Sequence, residues 1–187
     1  MIYTFYSYKG GVGRSMALAN VAEWLYLQGL RVVMIDWDLE APGLENFFLH
    51  APEELELIRS QLGLIDMLMA YKRLFPRLSR PTHKEETRPR AEQREGPESQ
   101  AWLTILQEQL PPIADMLYPI HAPDTANGAQ APALWLLSAG WRAGERFPIY
   151  AQTVQSFDWA DFYTSYHGEM VTAQAHQEVH HSLVQNR

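Results

Sequence analysis

The seven residues from Lys9 to Ser15, K-G-G-V-G-R-S, hold three glycines, a lysine, an arginine and a serine. Gly10, Gly11 and Gly13 let a backbone turn sharply and approach an anion with no Cβ in the way. A helix starting here adds its first amides and its dipole to the same point, so that point attracts a phosphate. Ser15 would open that helix with a hydroxyl suited to Mg²⁺. Arg14 is always charged and can contact phosphate through two N–H groups. A second cluster lies at Asp36 and Asp38, with Trp37 between them. Side chains at i and i+2 of a strand share a face. Both carboxylates would then point to the space beyond the end of the strand, where open α/β sheets bind ligands. Two acids there suit a bound Mg²⁺ and a water that needs orienting. The alternative is a pair of turn caps before Ala41-Pro42-Gly43.

These groups need elements to hold them. Residues 2–7, IYTFYS, are β-branched and aromatic and run into the glycines, which predicts a strand. From Gly13 to Gln28 the apolar positions Met16, Ala19, Val21, Ala22, Leu25 and Leu27 fall at helical spacing, and Gly29 stops the helix. Residues 30–36, LRVVMID, read as a strand buried on both faces. Strand, glycine turn, helix and strand make a βαβ unit. Residues 53–75 predict a helix pair or a kinked helix, broken near Gly63. ALWLLS, 133–138, predicts a third strand, and 101–110 a helix ending before Pro111-Pro112. FDWADFYTSYHG, 157–168, reads as a loop or short helix packed on the core, and 169–186 as weakly helical. Residues 76–100 carry eleven charged side chains and four prolines, with only Leu78 and Ala91 apolar. Such a stretch cannot bury enough to offset its ordering entropy, so it is expected to be a disordered insertion in a single domain spanning 1–187.

The loop resembles the deviant Walker A motif, K-G-G-x-G-K-S/T, of the ParA/MinD-type P-loop ATPases, with Arg14 where the family's usual lysine stands. The runs M-A-L-A-N-V-A and V-V-M-I-D-W-D-L-E-A-P-G-L are similar to a bacterial branch of that family that often carries arginine there. The likeness is strong over residues 1–48 and diffuse afterwards. It implies an α/β, three-layer P-loop NTPase fold with a mostly parallel sheet, and ATP with Mg²⁺ as cofactors. It implies a phosphate cradle of Gly10, Gly11, Val12, Gly13, Arg14, Ser15 and Met16. Lys9 would be the signature lysine, reaching across a homodimer interface to the partner's nucleotide. Asp38 would position or activate the attacking water, and Asp36 with Ser15 would support the metal. The family also needs an apolar strand ending in D-x-x-x-G, lying between the P-loop strand and the strand before Asp36. ALWLLSAG has the strand but no acid, and Asp158 and Asp161 follow no buried strand. The expectation is therefore a domain incomplete at its C-terminus, with a gap in the middle of its sheet. The function expected is a nucleotide-dependent dimerising switch. The alternative is a non-catalytic or decayed P-loop protein that binds nucleotide weakly or not at all; a small-molecule kinase is a weaker third, since nothing resembles a lid or an acceptor site.

Composition narrows the field. The net charge of −7 disfavours broad contact with a nucleic-acid backbone. The absence of cysteine excludes disulfides and thiolate-held zinc or iron–sulfur clusters. No run is long and apolar enough to span a membrane, the N-terminus lacks a signal-peptide pattern, and the tail lacks a basic amphipathic helix, so a cytoplasmic protein is expected. His176 and His180 share a helical spacing with His167 and His181 nearby, but there is no H-E-x-x-H, and a solvated face is the better reading. Trp135, Trp141, Trp159 and the tyrosines of 150–166 are expected to pack. Arg142 and Arg146, after the third strand, could face nucleotide or a partner, or neither.

Overall fold

The helix expected after the glycines forms as α1, Arg14–Leu27, and leads into β1, Arg31–Ile35. These belong to a computed structural model that describes residues 1–48, 50–78, 108–124 and 131–164. The expected insertion from residue 79 onward, residues 101–107 of the expected helix, and everything after 164, including the four C-terminal histidines, lie outside the described residues. The helix pair around Gly63 is present as α2, Pro52–Ser60, and α3, Leu64–Leu78. A short helical turn, Ile113–Met116, runs into β2, Leu117–His121, and the third expected strand is β3, Ala133–Leu137. Helices Phe147–Ser156 and Trp159–Thr164 follow.

The sheet has the order β1-β3-β2. β1 pairs parallel with β3, from Arg31 opposite Ala133 to Ile35 opposite Leu137, and β2 pairs antiparallel with β3. The fold is thus α/β with a mixed sheet. Alternation along the strands feeds two cores. Met34, Leu134 and Leu136 pack against Ala19 and Ala22 of α1, Leu44 and Ile58. On the other face, Leu137 joins Leu64, Ile65, Leu68 and Tyr71 of α3 with Tyr150, Val154 and Phe162. Helices therefore cover both faces of the sheet, which gives the expected three layers. Trp159 packs in the aromatic group around Phe157 and Phe162, as expected of that stretch.

Two differences from expectation have a physical cause. β2 was not foreseen, because Pro119 in a short run argues against an interior strand. It is an edge strand, where proline is tolerated, and its register shifts between Pro119 and His121. Residues 2–7 form no strand; Met1, Ile2, Tyr3, Tyr6 and Tyr8 are exposed. Strand propensity alone does not make a strand, and this segment does not pair with β1, whose partner among the described residues is β3. The two outer edges of the sheet are unlike each other. Proline and a register shift blunt β2, as they do in natural edge strands. β1, Arg-Val-Val-Met-Ile, carries neither device and is built like an interior strand.

The turn before α3 sits directly on the end of β3. Leu64 N–H donates to the Ser138 carbonyl and Ile65 N–H to the Ala139 carbonyl, both at 2.9 Å. Gly63 makes this approach possible, since a Cβ there would lie 2.3 Å from the Ser138 carbonyl oxygen and 2.6 Å from the Gly140 nitrogen. Gly63→Ala should therefore lower stability by about 2–4 kcal/mol in urea denaturation, whereas Gly10→Ala, with no atom within reach of the new methyl, should change it by less than about 0.5 kcal/mol. Equal midpoints for the two variants would contradict this packing.

Candidate functional site

The phosphate-type loop lies at the start of α1. Gly11 has φ 73° and Gly13 φ 79°, left-handed conformations that favour glycine. A Cβ at Gly10 or Gly11 would meet no atom of the described residues within 4 Å, so these residues leave space open before the loop. Gly13 caps α1 without any side-chain hydrogen bond, and the first turn holds no acid. This end of the helix keeps its positive dipole for an external anion. Val12 and Met16 are exposed beside it, and Ser15 is half-buried in the first turn. Lys9 is exposed and has no ion-pair partner among the described residues; its carbonyl accepts a hydrogen bond from the Ser7 hydroxyl.

Arg14 reaches from the first residue of α1 to the loop after β1. Its Nη2 donates to Asp38 Oδ2 at 2.6 Å, and its Nη1 lies 3.5 Å from the Ser7 carbonyl. The other Asp38 oxygen accepts from Ala41 N–H at 3.2 Å. Asp36 behaves differently. It is buried and accepts the amides of Asp38, Gly43 and Leu44 at 3.1–3.2 Å. Burial pushes its pKa up, and those three amides oppose the rise. The expectation that both carboxylates face one open space assumed that the strand continues through Asp38, but β1 ends at Ile35. The turn-cap geometry weighed as the alternative describes Asp36. Only Asp38 meets the glycine loop, through Arg14. Three of the roughly four lone-pair positions of the Asp36 carboxylate are taken by amides, so one is left for a cation. Among the described residues no group of three or more His, Asp or Glu could hold a metal by itself. A nucleotide-bound Mg²⁺ takes most of its ligands from phosphate and water and needs no such group.

The loop carrying these acids is clamped from behind by residues that the sequence did not single out. Glu45 is almost wholly buried, and its Oε1 accepts from Arg142 Nη2 at 2.6 Å and Arg59 Nε at 3.0 Å. Burial alone would raise the Glu45 pKa; the Arg142 charge and the bonds from both arginines outweigh it and hold it below the usual carboxylate range. Arg142 therefore does not reach toward nucleotide. It is buried, and it also donates to the Gly140 carbonyl. Arg146 lies over the Trp141 ring at 4.2 Å. Tyr150 Oη donates to the Leu39 carbonyl at 2.7 Å, next to Asp38, and burial pushes its pKa up. Asp66 Oδ2 accepts from the amides of Gly63 and Trp141. No spacing marks Glu45, Arg59 or Tyr150, because their partners come from distant parts of the chain.

A family model described as the CobQ/CobB/MinD/ParA nucleotide binding domain matches residues 3–181. Neither the curated proteins nor the solved structures contain a match to the chain. Among the described residues no helix is long and apolar enough to cross a membrane.

The Glu45 cluster gives a pH test with a definite sign. A carboxylate whose folded pKa is lowered stabilises the fold above its unfolded value, near 4.5, and that stability is lost as pH falls through the folded pKa. Asp36, with its pKa raised, acts in the opposite sense and cannot produce this acid-side loss. Glu45→Gln should cost about 3 kcal/mol at pH 7, since it leaves two guanidiniums without their counter-charge. The gap between wild type and variant should narrow as pH is lowered from about 5 to about 3 in urea denaturation. A gap independent of pH would refute the charge-based account.

Proposed function

Since the chain belongs to the CobQ/CobB/MinD/ParA nucleotide-binding domain family, we propose that it binds ATP with Mg²⁺ at residues 9–16 and acts as a nucleotide-dependent, dimerising switch in the cytoplasm. The observation that carries this reading is the uncapped start of α1 behind two left-handed glycines, with open space before it and Arg14 at its side. In this reading the amides of Gly10 to Met16, with Val12 contributing only its backbone, receive the phosphate oxygens. Arg14 neutralises the β- and γ-phosphates, and the Ser15 hydroxyl and Asp36 support Mg²⁺. Asp38 orients the attacking water, and Lys9, without an ion pair among the described residues, serves the nucleotide of a second copy. Bound Mg-ATP supplies the phosphoanhydride bond; the chain's residues only position and neutralise.

The edge of β1 that is unpaired among the described residues supports a further part of the proposal. A further apolar strand carrying an acid for the metal site would pair there. A second reading, a nucleotide-binding protein without turnover, is favoured by the arginine at position 14 and by the amides that occupy Asp36.

Thermal unfolding with Mg-ATP tests the proposal. At about 100 times Kd the ligand should stabilise the fold by about 2.7 kcal/mol. Arg14→Ala and Ser15→Ala should each reduce the shift by half or more at the same concentration. An unshifted wild type would count against both readings, and a shift without phosphate release would select the second.

A further inference from the structure

Arg14 already has an anion. Its guanidinium is bound to Asp38 Oδ2 at 2.6 Å, although the two residues are 24 positions apart and come from different elements. The carboxylate is the better anchored partner. Its second oxygen accepts the Ala41 amide, and the adjoining Leu39 carbonyl is held by the buried Tyr150 hydroxyl. Arg14 has a long, rotatable side chain, and its other hydrogen bond among the described residues, to the Ser7 carbonyl, is long at 3.5 Å. Each side chain of the pair is about one-third exposed, so an anion can reach the guanidinium.

We infer that Asp38 and the phosphates of the nucleotide compete for Arg14, so that the ion pair is a latch on the ligand-free site which phosphate binding opens. This rests on the nucleotide reading above and adds a regulatory step to it. Arginine suits the device, because its planar fork presents several N–H groups and can hand one anion over while still holding the other. Once phosphate takes the guanidinium, the Asp38 carboxylate loses its counter-charge and its Oδ2 is free to accept a hydrogen bond from water. Binding and preparation for hydrolysis are then a single exchange at one guanidinium. An acid that merely faced the site would weaken nucleotide binding by general repulsion, with no special dependence on position 38.

The test is the affinity for adenylyl imidodiphosphate in EDTA, where neither metal nor turnover enters, measured by titration calorimetry. Wild type is compared with Asp38→Asn, whose amide oxygen can still accept the Ala41 amide, and with Glu40→Gln, which removes one exposed negative charge two residues away. Asp38→Asn should tighten binding about fivefold, whereas Glu40→Gln should change it by less than about twofold. Equal affinities for the two variants, or weaker binding by Asp38→Asn, overturn the latch and leave the nucleotide reading standing. If wild type fails to bind and Asp38→Asn binds, the latch is upheld in a stronger form. If neither binds, the latch falls, and the nucleotide reading is judged by the thermal shift with Mg-ATP. Should Asp38→Asn not fold, Asp38→Ser is read in the same way.

Discussion

A single buried carboxylate, Glu45, holds the site loop against the body of the protein. Its Oε1 takes one guanidinium from α2 and one from the turn after β3. A charge this deep is tolerable only when paired, and an unpaired one would cost several kcal/mol. The three segments are therefore fixed together: the loop after β1, the end of α2, and residues 140–143. The amides of Arg142 and Ala143 add bonds to the Arg59 carbonyl, so the clamp is made of backbone as well as charge.

From that clamp the placement of the acids follows. With residues 44–47 held, the chain between Ile35 and Leu44 has to close a tight loop, and its amides turn inward. Asp36 gathers three of them, which explains how a carboxylate can be buried without an arginine beside it. Asp38 is left on the outer side, at the distance where Arg14 of α1 meets it. The two acids of D-W-D thus do different work: one shapes the loop and one faces the glycine turn. Their roles are set by burial rather than by residue type, the same carboxyl chemistry giving a structural cap in one setting and an exposed partner in the other.

The sheet shows the same dependence on what lies alongside. β3 is central, apolar and almost fully buried, and it pairs on both sides. β2 ends the sheet with proline. β1 ends it with nothing that resists a further strand, and the apolar N-terminal segment stays exposed nearby in sequence but outside the sheet. Strand propensity at residues 2–7 is real, yet propensity alone supplies no hydrogen-bonding partner.

Much of this was legible in the order of residues. Local rules suffice for α1, because its start, periodicity and stop are all contained within Gly13 to Gly29. The same holds for β1, β3 and the break at Gly63, and for the glycine loop, whose φ values are demands on single residues. What only the tertiary structure decided is long-range. It set which strands pair, that Asp36 turns inward while Asp38 meets Arg14, and that Glu45, Arg59, Arg142 and Tyr150 form the support of the site. Backbone conformation is governed by near neighbours. Pairing and burial bring together groups up to about a hundred residues apart, such as Glu45 with Arg142, and no local pattern encodes that meeting.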